Sequence, residues 1–555
     1  MDVSRSHYHH PTPWDTQFEP LTLPDMLARA VERRGDAPFL YFLGRSYSYR
    51  AIQDEARRFA AGLGALGIAP GDRVGLFLPN VPIYASAYYG AMMAGAVVVN
   101  FSPLYTVDEL SHQVADSGTR LLVTLDVPEL YNTARDVLDA SELETLVVGS
   151  LADMLPWYKG LALKTLGRSK IAKVSFSDAI RSWEAVTSEG HGDATQASIS
   201  PDDLALLQYT GGTTGRPKGA MLTHANLSVN AQQVVAINPF DKPEEEVFMG
   251  ALPFFHVFAN TALLNHAVAS GASIAMVPRF EAGQVLQTIA KHKATGFPGV
   301  PTMFQALLDH PDLAKTDLSS LKVCISGGAP MPAPVHDKFE KVTGVRLVEG
   351  YGLTESSGVV SANPYEGTRK RGTIGQPVAG TQVILLDKEE HTRLAPEGEP
   401  GELAIHGPQI MRGYWQRPDA SAEVLVERDG KIWLRTGDVA VIDEDGFLKI
   451  VDRIKDMIAV GGFKVFPSQV EEVLLQHEAV KEALVIGVPH DYLGEMPRAF
   501  VVLAEGADIT GDELRDWLSE HVGKHERVDE VVIRDSLPKT IIGKLDRKAL
   551  RAEVL

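Results

Sequence analysis

At 555 residues the chain is long enough for two or more domains around a large core, and its net charge of −19 disfavours nucleic acid as the main partner. With 45% apolar and 23% charged residues the balance is that of an ordinary globular protein. One cysteine, Cys324, excludes an internal disulfide and a four-cysteine zinc site, and with the enzyme-like composition it fits a reducing cytoplasm.

The first residues, M-D-V-S-R-S-H-Y-H-H-P, form a polar leader without the apolar run of a signal peptide, so none is expected. Apolar spacing then predicts helices over 23–34 and 52–66 and buried strands over 73–78, 96–101, 120–124 and 145–148. No charge occurs from Val74 to Val107, yet Asn80, Pro82, Asn100 and Pro103 interrupt the run. A strand, a buried helix and a second strand explain it better than a membrane span.

Residues 151–173 stand apart. Lys159, Lys164, Arg168, Lys170 and Lys173 face only Asp153, and Leu151, Leu155, Tyr158, Ala162 and Leu166 recur at helical spacing beside Trp157. This is either an amphipathic segment lying on an anionic membrane surface, at the inner face of the membrane, or a surface helix packed on its own domain.

Further strands are predicted over 246–250, 273–277, 321–325 and 346–349, giving an α/β chain of mainly parallel sheets. From 381 to 452 the strands 382–387, 401–406 and 439–443 are joined by Pro/Gly/Asp-rich turns, as in an antiparallel, barrel-like subdomain. The division expected is a large unit over 1–452, a hinge at 453–455 and a small, mobile α/β unit over 456–555. In the small unit, helices are predicted at 467–477 and 512–521, with strands at 483–487, 499–503 and 531–534.

The most informative segment is Y-T-G-G-T-T-G-R-P-K-G at 209–219. Gly211, Gly212 and Gly215 let the backbone approach a ligand closely. Thr210, Thr213 and Thr214 offer hydroxyls to phosphate or metal, and Lys218 adds a point charge. This is the composition of a phosphate cradle. It is not the G-x4-G-K-[ST] loop of kinases and GTPases, because Gly219 follows Lys218.

Seven separated motifs share one resemblance. The loop at 209–219 resembles the phosphate loop of adenylate-forming enzymes, the superfamily of acyl-CoA synthetases, luciferases and peptide-synthetase adenylation domains. P-F-F-H-V-F at 253–258 resembles its aromatic/histidine motif beside the acyl site, and S-G-G-A-P at 326–330 its adenine loop. G-Y-G-L-T-E at 350–355 resembles the metal and adenine motif, T-G-D at 436–438 the ribose motif and D-R-I-K-D at 452–456 the hinge. L-P-K-T-I-I-G-K at 537–544 resembles the motif of the catalytic lysine. The runs 429–438 and 446–455 are most similar to bacterial long-chain-fatty-acid–CoA ligases.

The resemblance implies activation of a fatty acid by ATP to an acyl-adenylate, then transfer to CoA, with Mg²⁺ as cofactor. It makes Lys544 the bridge between acyl carboxylate and α-phosphate. Glu355 becomes the metal ligand with Thr210, and Thr354 a further catalytic neighbour. Gly328, Ala329, Gly350, Tyr351 and Gly352 would surround adenine, Asp438 would accept ribose hydroxyls, and Arg453 would touch ribose or phosphate. His256, Val257 and Asn260 would shape the acyl pocket. Lys455 would be the hinge, and Gly461, Gly462, Phe463 and Lys464 would line the CoA channel. Asn260 stands where some relatives carry a tryptophan gate, so chain length is not read from it. No acidic residue follows His256 until well past His266, which argues against an amino acid substrate. A ligase for an aryl or short-chain acid and a non-catalytic sensor of AMP or acyl groups remain the alternatives. A homodimer is compatible with the sequence.

Overall fold

In the computed structural model, which describes residues 8–189, 197–210, 217–461, 463–540 and 543–555, four sheets carry the fold. A seven-stranded sheet and a nine-stranded sheet form the bulk of the large unit, and both are parallel through their centres. One continuous apolar core joins them. The uncharged run behaves as its composition demands. Strand Arg73–Leu76, helix Pro82–Met93 and strand Val97–Asn100 follow one another, and every residue of that helix is buried. An element apolar on all sides must be covered on all sides, and helix Tyr49–Ala65 packs against it.

In the nine-stranded sheet, Val323–Gly327 pairs in parallel with Gly296–Gly299 on one side and Arg346–Tyr351 on the other. The sequence places the first of these strands at 321–325. The structure shifts it by two residues, because Leu318–Leu321 closes a turn, and so the strand delivers Gly327 and Gly328 to its carboxyl end. Strand Arg346–Tyr351 runs out at the same edge into Gly352 and the short turn Thr354–Ser356. Ligands of open α/β sheets bind outside the carboxyl ends of the strands.

A third, antiparallel sheet contains Gln382–Leu386, Gly401–His406 and the twelve-residue strand Lys431–Ile442, which extends well before the predicted start at 439. Leu448–Arg453 pairs with it and places Arg453 opposite Asp438. The chain then turns through Ile454–Asp456 into a five-stranded sheet with helices on it and apolar clusters of its own. Its long hairpin, Val480–His490 with Gly494–Leu503, exceeds the two short strands expected.

Segment 151–173 is three pieces rather than one helix: Ala152–Met154, Trp157–Thr165 and Arg168–Lys170, with Pro156 as the break. No helix among the described residues is long and apolar enough to cross a membrane.

Candidate active site

A single cleft of about 2070 Å³ opens between the carboxyl edge of the nine-stranded sheet, the antiparallel sheet and the C-terminal unit. The two strands that flank the glycine/threonine run, Leu204–Thr210 and Lys218–Thr223, pair antiparallel, and Thr210 faces Lys218. Thr210 and Lys218 line the cleft, while Gly211, Gly212, Thr213, Thr214 and Gly215 lie outside the described residues. The base of the loop is fixed from both sides. Tyr209 donates its hydroxyl to Asp116 at 2.7 Å, and Asp116 also holds Arg417 at 2.6 Å. The Trp415 amide donates to the Gly219 carbonyl at 2.8 Å.

Glu355 and Thr354 sit on the turn that follows Arg346–Tyr351. Tyr414 donates its hydroxyl to Glu355 Oε1 at 2.7 Å, and the Lys218 ammonium lies 5.0 Å from the same tyrosine ring. One carboxylate is thereby aimed beside the phosphate-loop lysine. Sequence reasoning did not single out Tyr414 as a site residue, because its partner is 59 residues away.

Asp438 is 3% exposed. Its two oxygens accept from the Tyr351 hydroxyl and from Arg453 Nε, the latter at 3.1 Å. Burial lifts its carboxyl above the usual range, against the pull of Arg453 and Tyr351. Each oxygen keeps a second lone pair for a ligand hydroxyl. Gly350, Tyr351, Gly352, Gly328 and Ala329 line the cleft around this group.

Lys544 reaches the cleft from the C-terminal unit on a tight turn. The Thr540 amide donates to the Lys544 carbonyl at 2.6 Å, and Thr302 of the large unit donates its hydroxyl to the Gly543 carbonyl at 2.9 Å. Lys544 passes directly over Gly328. A Cβ at that glycine would lie 2.7 Å from Nζ, and the backbone there has φ +85°. Burial, and then the Arg453 cation, lower the Lys544 pKa to about 8, with Asp438 opposing. Thr302 was not legible in the sequence, because its partner is 241 residues away.

His256 ends the turn at Pro253. Its Nδ1 accepts from the Phe258 amide at 3.2 Å, and burial together with Lys544 lowers its pKa to about 3. The imidazole is therefore neutral, and this hydrogen bond assigns the remaining proton to Nε2 as a donor. Behind the turn, Asn80 donates to the Gly250 and Leu252 carbonyls, Tyr84 to the Phe254 carbonyl and Gln208 to the Phe255 carbonyl.

Past His256 the cleft continues as an apolar branch lined by Val257, Phe258, Ala262, Ile325, Val323, Val234 and Ile237. Asn260 is a correction to the expected acyl pocket. It is fully buried and accepts from Tyr88 at 2.9 Å and from Asn265 at 3.0 Å, and it is not part of the lining. Two residues away from Phe258 and Ala262, it lies on the opposite side of the helix.

Lys455 lines the cleft at the link between the units. Gly461, Phe463 and Lys464 do not, and Gly462 lies outside the described residues. Phe463 stacks on His525 with ring centroids 5.3 Å apart, and Lys464 pairs with Glu389 at 3.2 Å. In this arrangement the structure does not bring the expected CoA-channel residues to Lys544. Cys324 is fully buried, and burial pushes its thiol far up, so it is no nucleophile.

An ionic pocket at the carboxyl edge of a parallel sheet, into which a second unit carries Lys544, defines an adenylate-forming architecture. The chain belongs to the AMP-binding enzyme family, whose pattern it matches over residues 27–415, and it matches the AMP-binding enzyme C-terminal domain over 469–544. It is 39% identical over 552 residues to the long-chain-fatty-acid–CoA ligase of Bacillus subtilis (strain 168), covering 99% of this chain and 97% of that one. It is likewise 39% identical over 540 residues to the long-chain-fatty-acid–CoA ligase of Escherichia coli O157:H7, covering 96% and 94%. Among solved structures it resembles ATP-bound MatB from Rhodopseudomonas palustris, with TM-score 0.83 and 28% identity over 96% of this chain and 99% of that one.

Proposed function

We propose that this protein is an AMP-forming long-chain fatty acid–CoA ligase that uses Lys544 for the first half-reaction and a rotated C-terminal unit for the second. The observation that carries the reading is the meeting of Lys544, Gly328 and His256 at the junction of an ionic pocket and an apolar branch. In the first half-reaction a carboxylate oxygen bonds to the α-phosphorus of ATP and pyrophosphate leaves. Two anions must approach, so the Lys544 cation between them lowers the barrier. His256 Nε2–H donates to the acyl oxygen, and Asp438 holds the ribose.

Glu355, oriented by Tyr414, and Thr210 would hold Mg²⁺ together with the ATP phosphates, where the ion offsets their charge. One carboxylate with hydroxyls, all hard oxygen donors, suits an ion that takes its remaining ligands from phosphate and water. Among the described residues there is no group of three His, Cys, Asp or Glu that would form an all-protein cage instead.

In the second half-reaction the CoA thiolate, its proton already lost to solvent, bonds to the acyl carbon and AMP leaves with the electron pair of the broken acyl–oxygen bond. Rotation about Lys455 would exchange Lys544 for the loop at 461–464, which supports CoA. The test is an acid panel read by ATP–pyrophosphate exchange and thioester formation. Palmitate is expected to outrun ferulate and malonate. The reading fails if either of those outruns every fatty acid.

The broken basic segment supports a peripheral contact with anionic lipid. In helix Trp157–Thr165 only Gly160 is buried, where a Cβ would come within 2.5 Å of the Ala152 carbonyl. Trp157, Leu161 and Leu166 are 79%, 57% and 92% exposed. Lys159 and Lys164 anchor the helix on the Leu43 carbonyl and on Asp153. Arg168, Lys170 and Lys173 make no ion pair among the described residues and are exposed. Aromatic and aliphatic groups beside unpaired cations suit a phosphatidylglycerol surface, which attracts this local patch against the net charge of −19 on the whole chain. Co-sedimentation with phosphatidylglycerol vesicles should fall when Trp157 and Leu166 become serine. Unchanged binding would reject this surface.

A further inference from the structure

The apolar branch of the cleft has a far end built differently from its walls. If the protein is a fatty acid–CoA ligase, as proposed above, the occupant of the branch is an extended hydrocarbon tail, and the inference rests on that reading. One wall follows strand Val323–Gly327 backwards from the active site, with Gly327, Ile325 and Val323 alternating onto it. Four strand steps of roughly 3.3 Å measure about 13 Å. The facing wall is the helical segment 257–270, which turns Phe258, Ala262 and His266 inward. Asn260–Asn265 within it is a π-helix, so the strand sets the length of the branch.

Beyond Val323 and His266 the lining changes character. Lys322, the next residue along the strand, holds its ammonium 4.9 Å from the centroid of the Phe240 ring. The same ammonium is paired with Glu246, whose side chain is 2% exposed, while that of Lys322 is 40% exposed. Phe240 also faces Tyr365, with ring centroids 6.4 Å apart. Phe240 and Glu246 both line the cleft. An aromatic ring thus closes the branch from inside, and a half-exposed ion pair holds it from outside.

We infer that Phe240, held under the Lys322–Glu246 pair, is the plug that sets which acyl tails the enzyme accepts. A tail that stops short of the ring meets mostly apolar lining, with the imidazole of His266 kept neutral by burial. A longer tail must swing the ring aside, which takes away the cation–π contact of Lys322 and opens the branch to solvent. The buried Glu246 carboxylate ties Lys322 in place, because a lysine that left would strand a buried charge. The plug therefore yields by rotation of Phe240 rather than by loss of the ion pair.

The experiment compares wild type, Phe240→Ala and Phe240→Trp in ATP–pyrophosphate exchange with octanoate, dodecanoate, palmitate and docosanoate. The readout is the ratio of kcat/KM for each longer acid to that for octanoate. Palmitate and docosanoate both exceed a branch of about 13 Å, so Phe240→Ala should raise both ratios by roughly tenfold, the scale of a methylene or two seated in an apolar pocket, and Phe240→Trp should lower the dodecanoate ratio by a similar factor. If Phe240→Ala loses exchange with octanoate as well, Phe240→Leu makes the same comparison with the apolar bulk retained. Ratios that stay flat in the soluble variants overturn the plug and leave the ligase reading standing. Wild type that exchanges with none of the four acids overturns the ligase reading itself.

Discussion

The two ends of the cleft are made from opposite materials. The nucleotide end concentrates charge, and its groups are held by specific partners: Glu355 by Tyr414, Asp438 by Tyr351 and Arg453, and Gly543, next to Lys544, by Thr302. The tail end carries no charge until it reaches the Lys322–Glu246 pair, and His266 on its wall is held neutral by burial. Loops at the ends of strands build the first, and the flanks of strands and a helix build the second. At the nucleotide end one side chain can carry a whole step. At the tail end a side chain changes only the shape and depth of a groove.

The comparison breaks most sharply at Lys544. Lys544→Ala should cut palmitate-dependent ATP–pyrophosphate exchange by about a thousandfold, the upper range for loss of one charge-stabilising group. Thioester formation from supplied palmitoyl-adenylate and CoA should persist. Equal loss of both half-reactions would mean that the lysine serves both, against the rotation proposed here. Gly328→Ala probes the same point from the facing strand. Its methyl group would occupy the path of Lys544, so adenylation should fall by about a hundredfold, the cost of a displacement near 1 Å. Unchanged exchange would show that Lys544 acts from another position.

Tail-end changes should be gentler and selective. Ala262→Phe fills the branch beside Phe258, so KM for palmitate should rise about tenfold while octanoate suffers less. Equal effects on both acids would place the tail elsewhere. The smallest effect, between pH 7 and 8, is a pH dependence. Lys544 must be charged, and its pKa is lowered to about 8, so the cation is lost as pH rises through that value. Exchange kcat/KM should fall about twofold from pH 7 to 8 and then tenfold per unit, and Lys544→Arg should flatten that limb. A wild-type profile that stays flat to pH 10 would remove the lysine from the titration.

The same contrast decides what could be read in the sequence. The alternation of helices and strands was legible because buried parallel strands and amphipathic helices carry their own sequence patterns, as in helix Leu23–Arg34 and strand Val97–Asn100. The residues of the nucleotide end stand in short, chemically unusual runs, which mark them in the sequence itself. Tyr414 and Thr302 are not so marked, since each acts by fixing a distant partner. The tail end was almost silent, because Val234, Ala262, Val323 and Ile325 look like any core residues until the fold leaves a space between them. Asn260 shows the hazard of reading such a region by position alone. Its offset from His256 suggested a pocket residue, yet the helix turns it toward Tyr88.

The branch lies along strand Val323–Gly327 rather than across it, and this couples substrate size to backbone architecture. The distance from the carboxyl edge of the sheet to its amino edge is the longest dimension a tail can occupy without leaving the protein. Side-chain exchange can subtract from that dimension in small steps. It cannot add to it, because every neighbouring strand would have to lengthen in register. A lineage drifting toward longer substrates would therefore reach them by puncturing the amino edge and letting the methyl end emerge, and toward shorter ones by infilling.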